Sequence, residues 1–303
     1  MVNIENAVKR FGSFTAVDGL SFNINRGIIF GLLGPNGAGK TTTIRMITNI
    51  LAPDEGRITV DGQPFTAAHG EILGYLPEER GLYKKLKVIE QIVYFGRLKG
   101  MSASDATAEG KRWLEKFGAR GWENKKVQEL SKGMQQKVQF IATVVHDPKL
   151  LILDEPFSGF DPINAEALKS ILLEMRAAGK TIVLSTHVME QVEKICDEIV
   201  IINKGKAVLQ GPLREVKERY GRDSVLLEYS GDASGIEALP SIRIINKSMN
   251  RLEFRIIDHA IAPNEILKKA LEKLDVYKFE LSEPSLNEIF IAAAGVKEVS
   301  DNE

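Results

Sequence analysis

Eight residues, GPNGAGKT at 34–41, fit the pattern G-x-x-x-x-G-K-[ST]. Gly34, Gly37 and Gly39, with Pro35, Asn36 and Ala38 between them, allow successive backbone N–H groups to point inward and cradle phosphate oxygens. The apolar run before the motif suits a strand, and the residues after it suit a helix. The N-terminus of that helix adds partial positive charge. Lys40 would reach β- and γ-phosphates, the Thr41 hydroxyl would ligate Mg²⁺, and Thr42 is near enough for an α-phosphate oxygen.

A second constellation is LLILDEP at 150–156, an apolar strand ending in two carboxylates. Charges at the end of such a strand need a reason. Beside a phosphate loop, Asp154 would hold Mg²⁺, directly or through water. Glu155 would orient and deprotonate the attacking water, a general-base role typically worth about 10²–10⁴-fold. LSTH at 184–187 ends the next strand. Ligands bind at the carboxyl edge of a parallel sheet, which puts His187 in reach of a γ-phosphate or the water. His69, His146 and His259 have no such position and read as structural hydrogen-bonders.

LSKGMQQK at 130–137 is a helix start with an unusual feature. Ser131 suits an N-cap. Gly133 stands in the first turn, where glycine costs roughly 0.5–1 kcal/mol relative to alanine. A capped helix explains the serine and leaves the glycine unexplained.

The elements that must carry these residues alternate. SFNINRGIIFGLLG reads as strands, GRITVDGQPF (56–65) as a short strand and a Gly turn, and residues 87–146 as largely helical. KLLILD, TIVLST and EIVIINKG follow as strands, with helices at 163–178 and 188–195 between them. That order predicts an α/β fold with a mainly parallel, covered sheet. Near 215–222 the pattern ends in a polar stretch. SVLLEYSG, SIRIINK and RLEFRIID then read as strands, 263–274 as a helix, YKFELSE as a strand and SLNEIFIAAAG as a last helix. The expectation is two domains, 1–215 and a small α+β domain over 222–303, with the last few residues frayed.

The formal net charge of -1 gives no reason to expect nucleic acid as a partner. The lone Cys196 cannot form an internal disulfide and reads as a small buried thiol. No apolar run approaches the ~18 residues needed to span a bilayer, and MVNIENAVKR lacks a secretory signal's apolar stretch. The expected setting is soluble, reducing and cytosolic. A membrane role would need another polypeptide for the spanning part.

Over residues 1–215 the ordered motifs resemble the ATP-binding subunits of ABC transporters. GPNGAGKTT is similar to the Walker A loop, LLILDEP to the Walker B strand, SGFDP (158–162) to the D-loop, STH to the switch histidine and LSKGMQQK to the ABC signature. The resemblance implies a P-loop NTPase fold with an antiparallel β subdomain and a helical subdomain at about 87–146. It also implies that ATP and Mg²⁺ are bound and that ATP is hydrolysed. Two copies would meet head to tail, so that Ser131 and Gly133 complete the partner's ATP site; Asp161 of the D-loop belongs to the same implied set. Phe11 matches an aromatic that stacks on adenine. Glu78, in YLPEERGLY, stands where the family's Q-loop glutamine is usual, and would touch Mg²⁺ and the water. Lys132 and Met134 also depart from the usual LSGGQ.

YLPEERGLY together with PSLNEIF (284–290) looks like the ATPases of ABC-2-type exporters, with sodium-extrusion and drug-resistance systems the nearest resemblance. Such a subunit works at the inner face of the cell membrane through a separate permease. The basic stretch RGLYKKLK (80–87) would then meet that partner or lipid, or stay a solvated surface. Two alternatives stay open: a non-transport ABC ATPase of translation or DNA repair, and a nucleotide-gated module without turnover. The first usually carries two cassettes or a long coiled-coil insertion, and this chain has neither.

Overall fold

Strands apolar on both faces must be covered on both, and the covering elements set the architecture. The computed structural model describes residues 1–79, 81–221, 223–258 and 260–294. Arg80, His259 and the last residues, expected to fray, lie outside the described residues. Backbone contacts divide the chain into two compact units, Met1–Leu213 and Arg214–Glu303.

The first unit opens with a hairpin of β1 (Val2–Phe11) and β2 (Phe14–Ile24). The wholly buried β3 (Ile29–Leu33) follows and leads through the glycine loop into α1 (Lys40–Ile47). Next come β4 (Glu55–Val60), α2 (Ala67–Ile72) and β5 (Leu73–Leu76). The helical layer consists of α3 (Val88–Leu98), α4 (Ala103–Lys116) and α5 (Lys132–Val144). β6 (Leu150–Asp154), α6 (Pro162–Ala177), β7 (Thr181–Thr186), α7 (Met189–Glu193), β8 (Glu198–Asn203) and β9 (Lys206–Pro212) complete it.

The main sheet runs β5-β6-β7-β3-β8-β9, parallel except for the antiparallel edge pair β8–β9. A separate antiparallel sheet runs β2-β1-β4. One buried cluster joins them: Ile4, Val17 and Leu20 pack with Phe30, Leu32, Ile44 and Ile152. In the helical layer Trp113, Phe117 and Phe140 form an aromatic cluster. The sequence did not announce α2, and α7 is shorter than the expected 188–195 helix.

The polar stretch near 215 folds as α8 (Leu213–Arg219), held by Arg214 pairing with Glu218 one turn on. The second unit then has β10 (Ser224–Gly231), α9 (Ser234–Glu237), β11 (Ile242–Ser248) and β12 (Arg251–Ile256). α10 (Pro263–Leu271), β13 (Leu274–Ser282) and α11 (Leu286–Ala294) follow. Its antiparallel sheet is ordered β11-β12-β10-β13. The alternating buried residues of β10 and β12, among them Val225, Leu227, Leu252 and Phe254, pack with Ile266 and Ala270 of α10.

Two of the three described histidines are plainly structural. His69 Nδ1 accepts from the Thr66 N–H as the return half of a capping box. His146 bonds the Leu73 carbonyl through Nε2 at 3.2 Å, and its Nδ1 is buried without a partner among the described residues. Burial, helped by the Lys99 ammonium, pushes its pKa down from 6.5 to about 4. The unfolded chain therefore takes up this proton before the folded one does, and the folded state loses ground as pH falls from 6.5 towards 4. Between pH 7 and pH 4 the stability of wild type should fall by roughly 3 kcal/mol relative to His146→Gln. Denaturant titrations of both proteins at the two pH values measure it; parallel pH profiles would refute it.

Candidate nucleotide site

Three neighbouring strands of the main sheet end side by side, and strand register sets the relative height of their last residues. Leu33 of β3 pairs with Thr186 of β7, and Asp154 of β6 pairs with Ser185. The loop after β3 needs glycine at two places. A Cβ at Gly34 (φ 147°) would meet the Ile202 carbonyl at 2.1 Å, and one at Gly39 (φ 108°) would meet the Ala16 carbonyl at 2.4 Å. Both positive φ values also penalise any L side chain. Gly39 is the residue from which α1 starts.

A cleft of about 440 Å³ opens above these strand ends, lined by Asn36, Gly37, Gly39, Lys40, Thr41, Thr42, Glu78, Asp154, Glu155 and His187, with Phe14 and Ala16 at its side. Gly34, Pro35 and Ala38 shape the loop from behind. Lys40 Nζ donates to the Gly34 carbonyl at 2.7 Å and to the Pro35 carbonyl at 3.1 Å, and Ala38 is buried. Burial lowers the Lys40 pKa, while Glu155, Asp154 and Glu78 oppose that shift.

The Thr41 hydroxyl donates to Asp154 Oδ2 at 2.9 Å. Asp154 Oδ1 is buried, its strand neighbour Ser185 offers the nearby hydroxyl, and neither atom makes a well-formed hydrogen bond among the described residues. Burial raises the Asp154 pKa, helped by the Glu155 charge and against the pull of the Ser185 and Thr41 hydroxyls and Lys40. An orphaned carboxylate oxygen beside a hydroxyl is a hard-oxygen donor set, which fits a divalent cation that completes its shell with phosphate and water.

Glu155 has φ 48°, an uncommon value for a residue with a side chain, and it falls where the strand gives way to the site. Its carboxylate is held from β7. Oε2 accepts from the Thr186 hydroxyl at 3.1 Å. Oε1 accepts from the His187 backbone N–H at 3.1 Å and lies 2.7 Å from His187 Nδ1. The carboxylate is nearly buried, with 11% of its side chain exposed, and the His187 ring is half exposed. Thr186 was not singled out from sequence. It belongs to the same STH run, but only its side-chain direction makes it an orienting group.

Besides Gly34, Pro35 and Ala38 of the loop, four sequence candidates stand outside the cleft lining. Phe11 ends β1 opposite Phe14 across the hairpin, 49% exposed, and Phe14 is the ring that lines the cleft. Ser131 caps α5, accepting from the Met134 N–H at 3.3 Å. Asp161 caps α6, accepting from the Asn164 N–H at 2.8 Å, and that bond lowers its pKa. A Cβ at Gly133 would come no closer than 3.6 Å to the Gly159 carbonyl, an ordinary contact. Within one chain, therefore, nothing requires a bare backbone at that position.

The sheet order and the glycine loop closed over a Lys–Thr–Asp set define a P-loop nucleoside triphosphatase. Residues 17–158 match the ABC transporter family, and residues 211–294 match the C-terminal domain of DrrA1-3-like ATP-binding proteins. The chain is 46% identical over 295 residues to the ABC transporter ATP-binding protein YhaQ of Bacillus subtilis, covering 97% of this chain and 99% of that one. It is 32% identical to the linearmycin resistance ATP-binding protein LnrL of the same organism, covering 97% and 98%. A solved ATP-binding subunit of an ABC transporter superposes with TM-score 0.67 at 30% identity, covering 73% of this chain and 93% of that one. The chain belongs to the ATP-binding proteins of ABC transporters, a family of ATPases.

Proposed function

We propose that this chain is the ATP-hydrolysing subunit of an ABC exporter, working as a pair of copies beneath a separate membrane permease. The observation that carries the chemistry is the single cleft shared by Lys40, Thr41, Asp154, Glu155 and His187. Lys40 and the loop N–H groups hold the β- and γ-phosphates. Thr41, Asp154 and Glu78 would hold Mg²⁺, which supplies charge neutralisation at the phosphates. Glu155, fixed by Thr186 and His187, accepts the proton of the attacking water. The water oxygen bonds the γ-phosphorus, and the bond to the β–γ bridging oxygen breaks with its electron pair leaving on ADP. The exposed Phe11–Phe14 hairpin tip offers an aromatic face for adenine.

The paired arrangement is supported by what stands outside the cleft. Ser131, Gly133 and Asp161 sit at exposed or half-exposed helix starts, and Gly133 has room it does not need within its own chain. A second copy's γ-phosphate would use both the serine and the bare backbone. In light scattering, Glu155→Gln with ATP should run at twice the monomer mass and return to monomer when ATP is withdrawn. Monomer alone at saturating ATP would refute the paired site.

Export is supported by names among the relatives: LnrL is a linearmycin resistance protein, and a Burkholderia lata relative 38% identical over 228 residues is a Nod factor export ATP-binding protein. No helix among the described residues is long and apolar enough to cross a membrane, so the permease is a separate polypeptide on this reading. Its docking place would be an apolar cavity of about 430 Å³ between β5, α3 and α5, with Tyr83 and Leu98 exposed around it. The exposed Lys84, Lys85 and Lys87 lie close by in the chain. The subunit would then sit at the cytoplasmic face, with domains 1–215 and 222–303 as ATPase and accessory parts. The soluble translation or repair role has no feature in its favour.

A further inference from the structure

Of the three glutamines on α5, two that stand three residues apart are buried. Gln136 and Gln139 are each only 5% exposed. Gln139 Nε2 donates to the Pro77 carbonyl and to the Glu79 carbonyl, both at 3.4 Å, so it holds the backbone on either side of Glu78. Gln136 Nε2 donates to the Pro156 carbonyl at 3.4 Å, one residue past Glu155. From α3, the fully buried Gln91 accepts the Tyr83 N–H at 2.9 Å at the far end of the same loop.

These amides are costly places for stability. Gln139 Oε1 and Gln91 Nε2 are buried with no partner among the described residues. An unsatisfied buried polar atom costs about 1–3 kcal/mol; an apolar side chain of similar shape would avoid that cost and give up the two bonds to the loop carbonyls. The chain neighbours of Gln139, namely Val138, Phe140 and Ile141, are buried apolar residues. What the glutamine adds is a pair of donors aimed at one loop.

We propose that Gln139, assisted by Gln136, is a positioning residue for hydrolysis. It locks the Glu78 loop to the signature helix, so that any tilt of α5 is passed to Glu78 and, through Pro156, to the segment following Glu155. This rests on the roles given above to Glu78 and Glu155. The side chain touches neither nucleotide nor water.

The test uses full-length Gln139→Leu and Gln139→Met, with Glu155→Gln as a parallel control and Glu78→Ala as a second background. Steady-state phosphate release should give a kcat at least about tenfold lower, with KM for ATP within about threefold of wild type. The melting temperature should stay close to that of wild type, since the lost bonds to the loop and the removed orphan oxygen oppose one another. In the Glu78→Ala background the same substitution should change kcat by less than about twofold, since a residue that acts through Glu78 has nothing left to position. Unchanged kcat in both variants while Glu155→Gln stalls would overturn the proposal. So would a loss that persists in full in the Glu78→Ala background, or a drop in melting temperature in both variants, which would make Gln139 a packing residue. Normal turnover in Glu155→Gln itself would overturn the underlying site assignment, and the proposal with it.

Discussion

Glu155→Gln should lower kcat for ATP at least about a hundredfold, roughly 2.7 kcal/mol of barrier, while ATP binding survives. The substitution keeps the volume and leaves an oxygen to accept from Thr186 or His187. It removes the ability to take a proton. Because the side chain is held by Thr186 at the end of β7 and His187 just beyond it, and not by the phosphate loop, losing its charge leaves Lys40 and the loop amides in place. Phosphate release and a nucleotide-binding titration on the same preparation separate the two effects. Undiminished turnover would remove the base assignment.

Lys40→Ala should weaken ATP binding at least about a hundredfold, about 2.7 kcal/mol at the binding step. Lys40 is 6% exposed and faces three carboxylates, Glu155, Asp154 and Glu78. Without its ammonium the cleft is a concentration of negative charge offered to a polyanion. The loop also loses the two bonds by which Lys40 ties itself to the Gly34 and Pro35 carbonyls. A titration showing unchanged affinity would contradict the assignment. Lys40→Arg is a useful companion, because a longer planar cation keeps the charge but does not fit the same two carbonyls.

Much of the site is legible in the sequence because its parts are local. GPNGAGKT is one strand–loop–helix junction, and LLILDEP and LSTH each end a strand, so residue type and strand polarity suffice to bring Lys40, Asp154, Glu155 and His187 to one edge. Phe11 shows the limit: it is singled out by the family resemblance alone, and the structure puts its hairpin partner Phe14 in the cleft lining. The buried glutamines show a deeper limit. In LSKGMQQKVQF nothing distinguishes Gln139 from a solvated polar residue, since its partners at Pro77 and Glu79 are some sixty residues away along the chain. Thr186 is similar, a hydroxyl whose value depends on a rotamer. The polar stretch near 215 hid α8 because i,i+4 ion pairs, not apolar periodicity, mark it.

The register of β6, β7 and β3 has a consequence for how the protein can fail. Successive residues along a strand stand about 3.3 Å apart, and a slip of one would carry Asp154 or Thr186 a full ligand's width from the glycine loop. Backbone pairing admits no fractional slip, so the relative height of these strand ends is set in whole residues. The ruler for the chemistry is the spacing of peptide groups in the sheet.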